Sequence, residues 1–163
     1  MELTHEFVLR ARLDPPLAFG AGLRGDRMFF RATEGTVDGE RLKGTLLPGG
    51  GDWLTAHASG WGVLDVRAQI RTHDDAVIYI HYPGLLEMNA TFMAAFGSGG
   101  ATRFEDQYFR TSPRMETGDA RYAWVNTSLF VGEGLAISQP THRSGRSHRT
   151  RSRYQNADTA WIA

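Results

Sequence analysis

The chain has 163 residues, with no cysteine, 18 basic and 18 acidic side chains, 19 glycines and a 41% hydrophobic share. These numbers fit one globular domain able to bury its own core, and they exclude a disulfide framework, a thiolate metal site and a cysteine nucleophile. No apolar run reaches the length of a membrane span, and Glu2, His5 and Glu6 stand where a secretory signal would need apolar residues, so a cytoplasmic protein without a membrane partner is expected.

Strand-like stretches recur between glycine and aspartate punctuation at 6–13, 27–32, 62–72, 77–82, 104–110 and 121–131. No stretch of equal length carries a clean helical period. An all-β chain, folded as an antiparallel barrel or sandwich, follows.

Between the second and third stretches lies Pro48-Gly49-Gly50-Gly51-Asp52-Trp53. It lacks the Lys-Ser or Lys-Thr ending and the following helix of a phosphate loop, so no nucleotide cofactor is expected. Three glycines instead let the backbone pass close to another element and aim Asp52 and Trp53 inward. Asp52 is the first choice for a working carboxylate. Turn or cap hydrogen bonding is the plainer role for an aspartate here.

The best-defined hairpin joins 64–71 to 77–82. Leu64, Val66, Ala68 and Ile70 share one face, while Asp65, Arg67, Gln69 and Arg71 share the other. They meet Ile78, Ile80 and Tyr82 on one side only if the loop has odd length, because a one-residue slip turns every side chain over. A loop Asp74-Asp75-Ala76 satisfies this and places Ala76 at a left-handed position that suits glycine. Asp65 and Arg67 read as an outward surface pair. His73, in the turn, reads as solvated.

One short helix is expected over 85–96, from Leu85, Leu86, Met88, Met93 and Phe96, closed by Gly97-Ser98-Gly99-Gly100; Asn89-Ala90-Thr91 weakens that pattern. In 121–131, Tyr122, Trp124, Asn126, Ser128 and Phe130 alternate with smaller and aliphatic residues. Read as the last strong strand, it turns these aromatic and amide groups to one face, where they line a cavity and hold a ligand; a mixed core with polar tips bonded to the backbone explains the pattern equally well.

The six histidines show no ligand spacing, no metal site is expected, and no Gly-x-Ser-x-Gly elbow occurs. After Gln139 the chain carries Arg143, Arg146, Arg149, Arg151 and Arg153 against Asp158, with no apolar alternation. We therefore divide it into a barrel domain, 1–139, and a basic, irregular tail, 140–163. A solvated end, rather than a nucleic-acid-binding arm, is the expectation for that tail. An interaction role through the arginines is the weakest of the functional readings.

Three groups of residues together resemble the domain-of-unknown-function 3237 family, small calycin-like β-barrel proteins common in bacteria. They are Gly35-Thr36-Val37-Asp38-Gly39 with Gly44 to Trp53, then Leu64-Asp65-Val66-Arg67 with Thr72-His73-Asp74-Asp75, and Tyr108-Phe109-Arg110 with Arg121-Tyr122-Ala123-Trp124-Val125-Asn126. The resemblance implies a lipocalin-like barrel with a pocket, and no assigned reaction. Ala76 departs from the glycine of the family's Asp-Gly turn. The tail departs from the family's final strand, leaving a sheet edge that a neighbouring chain, as in a homodimer, or the N-terminal strand would cover.

Joined through the resemblance, Trp53, Tyr108, Arg110, Tyr122, Trp124 and Asn126 form the expected ligand-binding set. The favoured function is a small-molecule-binding barrel for an anionic or enolisable ligand. The alternative, from a different class, is a cofactor-free isomerase, cyclase or lyase with Asp52 as general base and Arg110, Tyr108 or Asn126 at an oxyanion.

Overall fold

The computed structural model describes residues 3–98, 100–137 and 158–162. The strands are β1 Phe7–Leu13, β2 Leu17–Gly22, β3 Gly25–Gly39, β4 Lys43–Leu46, β5 Gly51–Ala56, β6 Trp61–Thr72, β7 Val77–Glu87, β8 Phe109–Thr111, β9 Arg114–Glu116, β10 Gly132–Ile137 and β11 Asp158–Ile162. Among the described residues one α-helix, α1 Ala90–Ser98, follows β7. All pairings are antiparallel, and they run β6–β5–β3–β1–β11–β10–β8–β7, with β7 pairing back to β6. The result is the expected all-β architecture, a barrel-like sheet with its core inside.

Alternation decides which side chains fill that core. Phe7, Leu9 and Ala11 of β1 and Leu64, Val66, Ala68 and Ile70 of β6 are buried on the inner face, as are Ile78, Ile80 and Tyr82 of β7. Full burial of each aliphatic side chain contributes about 1.5–3 kcal/mol, so this inner face carries most of the stability. The hairpin register is as expected: Ile70 pairs with Ile78, Ala68 with Ile80 and Val66 with Tyr82.

The turn of that hairpin is displaced by one residue from the expectation. Thr72 N–H donates to the Ala76 carbonyl, which leaves His73, Asp74 and Asp75 as the loop, and the left-handed residue is Asp75 at φ 70°. Ala76 is instead buried, its N–H donating to Thr72 Oγ1 at 2.8 Å. The parity argument fixes an odd loop but cannot fix where it starts; the Thr72 side chain does.

Three further expectations change. Leu85 and Leu86 continue β7, and the helix begins only at Ala90, because Asn89 caps it: its Oδ1 accepts from Phe92 N–H at 2.9 Å. The supposed last strand is a 3₁₀ helix over Ala120–Thr127, capped by Asp119, whose side chain accepts from Arg121 N–H. Its buried residues, Tyr122 and Val125, stand three apart, which is the 3₁₀ period and not the strand period. Finally, Asp158–Ile162, placed by sequence in an irregular tail, forms β11 between β1 and β10. Backbone bonds on both sides supply what side-chain alternation there lacks. The edge expected to be left open is paired by β11. The five arginines of the tail, with His142 and His148, lie outside the described residues.

Among the described residues no helix is long and apolar enough to cross a membrane.

Candidate functional site

The glycines before Asp52 do what their spacing implies. Gly49 takes a positive φ of 106°, and a Cβ on Gly51 would come within 2.4 Å of the Phe30 carbonyl, so β5 can lie against β3 only with glycine there. This close pairing sets the register in which Phe30, Asp52, Val66 and Tyr82 stand side by side across β3, β5, β6 and β7. All four are buried.

They form part of the wall of an interior cavity of about 110 Å³. Its other walls include Leu9, Leu54 and Phe109, while α1 lays Phe92 and Phe96 across one end. The less buried lining residues, Leu13, Met28, Met88, Met93 and Phe96, mark the approach from solvent. Three flexible methionines there suit an opening that must adapt to a guest. Among the described side chains lining the cavity, only Asp52 and Tyr82 carry a nitrogen or oxygen.

Burial pushes the Asp52 carboxyl from 3.8 up to about 7; a hydrogen bond from Asp65 N–H opposes the shift and the Asp65 charge adds to it. The Asp65 N–H to Asp52 Oδ1 distance is 3.3 Å. Burial also holds the Tyr82 phenol well above its ordinary value, and the nearby Asp52 charge reinforces this. At neutral pH the cavity thus holds a carboxyl shared between two protonation states and a phenol that keeps its proton.

The remaining expected site residues do not converge on this cavity. Trp53 follows Asp52 on a strand and therefore faces outward, its ring 4.4 Å from Phe29 and 5.9 Å from Phe19 between centroids. Consecutive strand residues cannot both point in. Tyr108 is exposed and meets the edge of Trp61, and Arg110 lies outside in an ion pair with Glu133, 5.2 Å from the Tyr108 ring. Tyr122 O–H donates to Asp74 Oδ1 at 2.8 Å beside the hairpin turn, and Asn126 bonds the backbone of Thr117 through both amide atoms. Trp124 sits beneath the Arg41 guanidinium, 3.8 Å from the ring centroid. A strand would have aligned Tyr122, Trp124 and Asn126; the 3₁₀ helix sends them three ways.

Arg110 and Arg41 do share an outer groove of about 600 Å³ with Glu6 and Glu133. Each arginine is already paired there, Arg41 with Glu6 and Arg110 with Glu133. Asp65 and Arg67 lie on the outer face as expected, and Asp65 Oδ1 meets His81 Nε2 at 2.9 Å. No group of three metal-ligating side chains occurs among the described residues. Sequence reasoning missed Tyr82. Its signal was a hydroxyl on a strand face otherwise filled by Ile78 and Ile80.

The family model described as protein of unknown function (DUF3237) matches residues 1–142. The chain belongs to that family. A UPF0311 protein of Clostridium acetobutylicum is 32% identical over 133 residues, covering 80% of this chain and 84% of its own length. The fold is shared with a conserved protein of unknown function from Rhodopseudomonas palustris, at TM-score 0.76 and 24% identity over 98% of this chain and 95% of that one. It is shared too with a β-barrel-like protein of Acinetobacter baumannii, at TM-score 0.66 and 24% identity over 98% and 94% of the two chains. Family membership accounts for the barrel-like sheet and assigns no chemistry to its interior.

Proposed function

We propose that the barrel interior takes up a small, neutral, mostly apolar molecule and that Asp52 exchanges a proton with it. The observation that carries this reading is a carboxyl with a pKa of about 7 in the wall of an otherwise apolar cavity. At its ordinary value the group would be a weak base at neutral pH; near 7 it can both take a proton and return it. An anionic guest is disfavoured, because the described lining residues include no Arg, Lys or His to offset its desolvation. A neutral guest with a weakly acidic C–H or O–H fits. Proton exchange of this kind, of the isomerase, cyclase or lyase type, consumes no co-reactant. The cavity volume of about 110 Å³, below the roughly 150 Å³ of an apolar cavity that holds benzene, limits the guest to at most about one small ring.

Chemical-shift titration of the Met28, Met88 and Met93 methyls with cyclohexanone, and with toluene as a guest that has no exchangeable proton near a carbonyl, tests occupancy. Both should shift these methyls. Wild-type protein in D₂O should speed deuterium exchange beside the cyclohexanone carbonyl, and Asp52→Asn should bind both probes without doing so. Methyls unmoved by either probe, or exchange equally fast with Asp52→Asn, would overturn the reading.

A further inference from the structure

We infer that Tyr82 is a second catalytic residue, which holds the carbonyl oxygen of a cyclic ketone while Asp52 works on the adjacent carbon. This rests on the proton-exchange reading above and names its substrate class.

The sheet register supplies the geometry. Asp52 pairs with Val66, and Val66 with Tyr82, so the two side chains line the cavity from strands on either side of β6, Tyr82 also lining a smaller pocket with Phe7 and Ile80. With neighbouring strands about 4.8 Å apart, their Cα atoms stand roughly 10 Å from each other across a buried valine. That leaves room for a small group held between a short side chain and a long one. Among the described residues the two supply the only oxygen atoms that side chains contribute to the lining.

A neutral guest that offers an acidic C–H owes that acidity to a neighbouring carbonyl. The carbonyl oxygen needs a donor in an apolar wall, and the Tyr82 hydroxyl is the side-chain donor that keeps its proton at neutral pH. Asp65 N–H, bonded to Asp52 Oδ1, holds one carboxylate oxygen toward β6.

The step balances without any co-reactant. Ionised Asp52 takes a proton from the carbon beside the carbonyl. The C–H pair becomes a C=C bond, the carbonyl π pair moves to oxygen, and that oxygen accepts a hydrogen bond from Tyr82 O–H. Asp52 then returns the proton to the far end of the conjugated system, which leaves the enzyme unchanged and an isomerised ketone. A ring with a double bond one carbon removed from conjugation is the simplest substrate of this class.

The test uses 3-cyclohexen-1-one, whose conversion to 2-cyclohexen-1-one is followed by ultraviolet absorbance. Wild-type protein should accelerate it, Asp52→Asn should not, and Tyr82→Phe should lower kcat by about 10²–10³ with KM within a few fold. Toluene binding, which needs no hydrogen bond from position 82, reports whether Tyr82→Phe has folded. If it has not, 3-fluorotyrosine at position 82 keeps the ring while making the hydroxyl a stronger hydrogen-bond donor, and kcat should rise at a pH where Asp52 is ionised. A Tyr82→Phe kcat within twofold of wild type, or a kcat unchanged by fluorotyrosine, overturns the role of Tyr82 while Asp52 exchange stands. Absence of wild-type turnover overturns the ketone assignment, and the cyclohexanone exchange experiment then shows separately whether the underlying reading fails with it.

Discussion

Asp52 and Asp65 sit on adjacent strands and face opposite sides of the sheet, yet the backbone N–H of Asp65 donates to the Asp52 carboxylate at 3.3 Å. Inside, Asp52 is desolvated; outside, Asp65 bonds His81 and Arg67. One peptide group therefore connects a buried acid to a solvated charge cluster.

The first prediction concerns pH. A carboxyl held at about 7 when folded and near 4 when unfolded binds its proton more tightly in the native state. The folded chain carries the extra proton between those values, so this group's contribution to stability falls as pH rises from about 4 to 7 and is level beyond. Asp52→Asn removes the cost of the buried charge. In urea titrations it should stabilise the protein at pH 8, by an amount up to roughly 4 kcal/mol, and change little at pH 4. A stability difference between variant and wild type that is the same at both pH values would contradict the burial of Asp52.

The second concerns the β6–β7 turn. Asp75 takes the left-handed conformation, so Asp75→Gly should raise stability by about 0.5–1 kcal/mol. Ala76→Gly should lower it by about 1 kcal/mol, because Ala76 is buried and its backbone is freed by the change. Thermal melts of the two variants moving in the same direction would show that the loop is placed wrongly.

A third prediction fills the cavity. Ala68 is buried in its wall, and Ala68→Leu adds three carbons to a space of about 110 Å³. Overpacking should cost no more than about 1–3 kcal/mol, leaving the protein folded. Calorimetric binding of cyclohexanone should be lost. Unchanged affinity would place the guest somewhere other than this cavity.

The fourth separates inside from outside. Arg110 pairs with Glu133 on the outer surface, so Arg110→Met should leave cyclohexanone affinity and Asp52-dependent exchange unchanged, with stability altered by under about 1 kcal/mol. A tenfold loss of affinity would tie Arg110 to the interior.

Asp74 supplies a further pH effect of opposite sign. Hydrogen bonds from Thr72 and then Tyr122 hold its carboxyl below the ordinary range, so the stability it contributes is present above that range and lost as pH falls through its native value. Tyr122→Phe should lower the melting temperature more at pH 7 than in acid, once Asp74 has taken up its proton. An equal loss at both would mean that the Tyr122–Asp74 bond does not favour the ionised form.

The sequence by itself determined the β class, the inner face of the β6–β7 hairpin and the inward aim of Asp52. Each rests on a local rule. Alternation sets which side chains share a face, and the glycines of 49–51 permit a close approach that other residues would block. Tertiary structure decided the rest. Tyr122, Trp124 and Asn126 alternate in sequence, but eight residues capped by Asp119 and tied by Tyr122 to the Asp74 turn take a 3₁₀ path, and the expected aromatic wall disperses. Residues 158–162 lack a strand's pattern and become one because β1 and β10 leave a gap of one strand's width. Tyr82 reads in sequence as one more core residue. Only the register across β5, β6 and β7 brings it beside Asp52, because a neighbour two strands away is set by hydrogen bonding between distant segments and leaves no trace in local spacing.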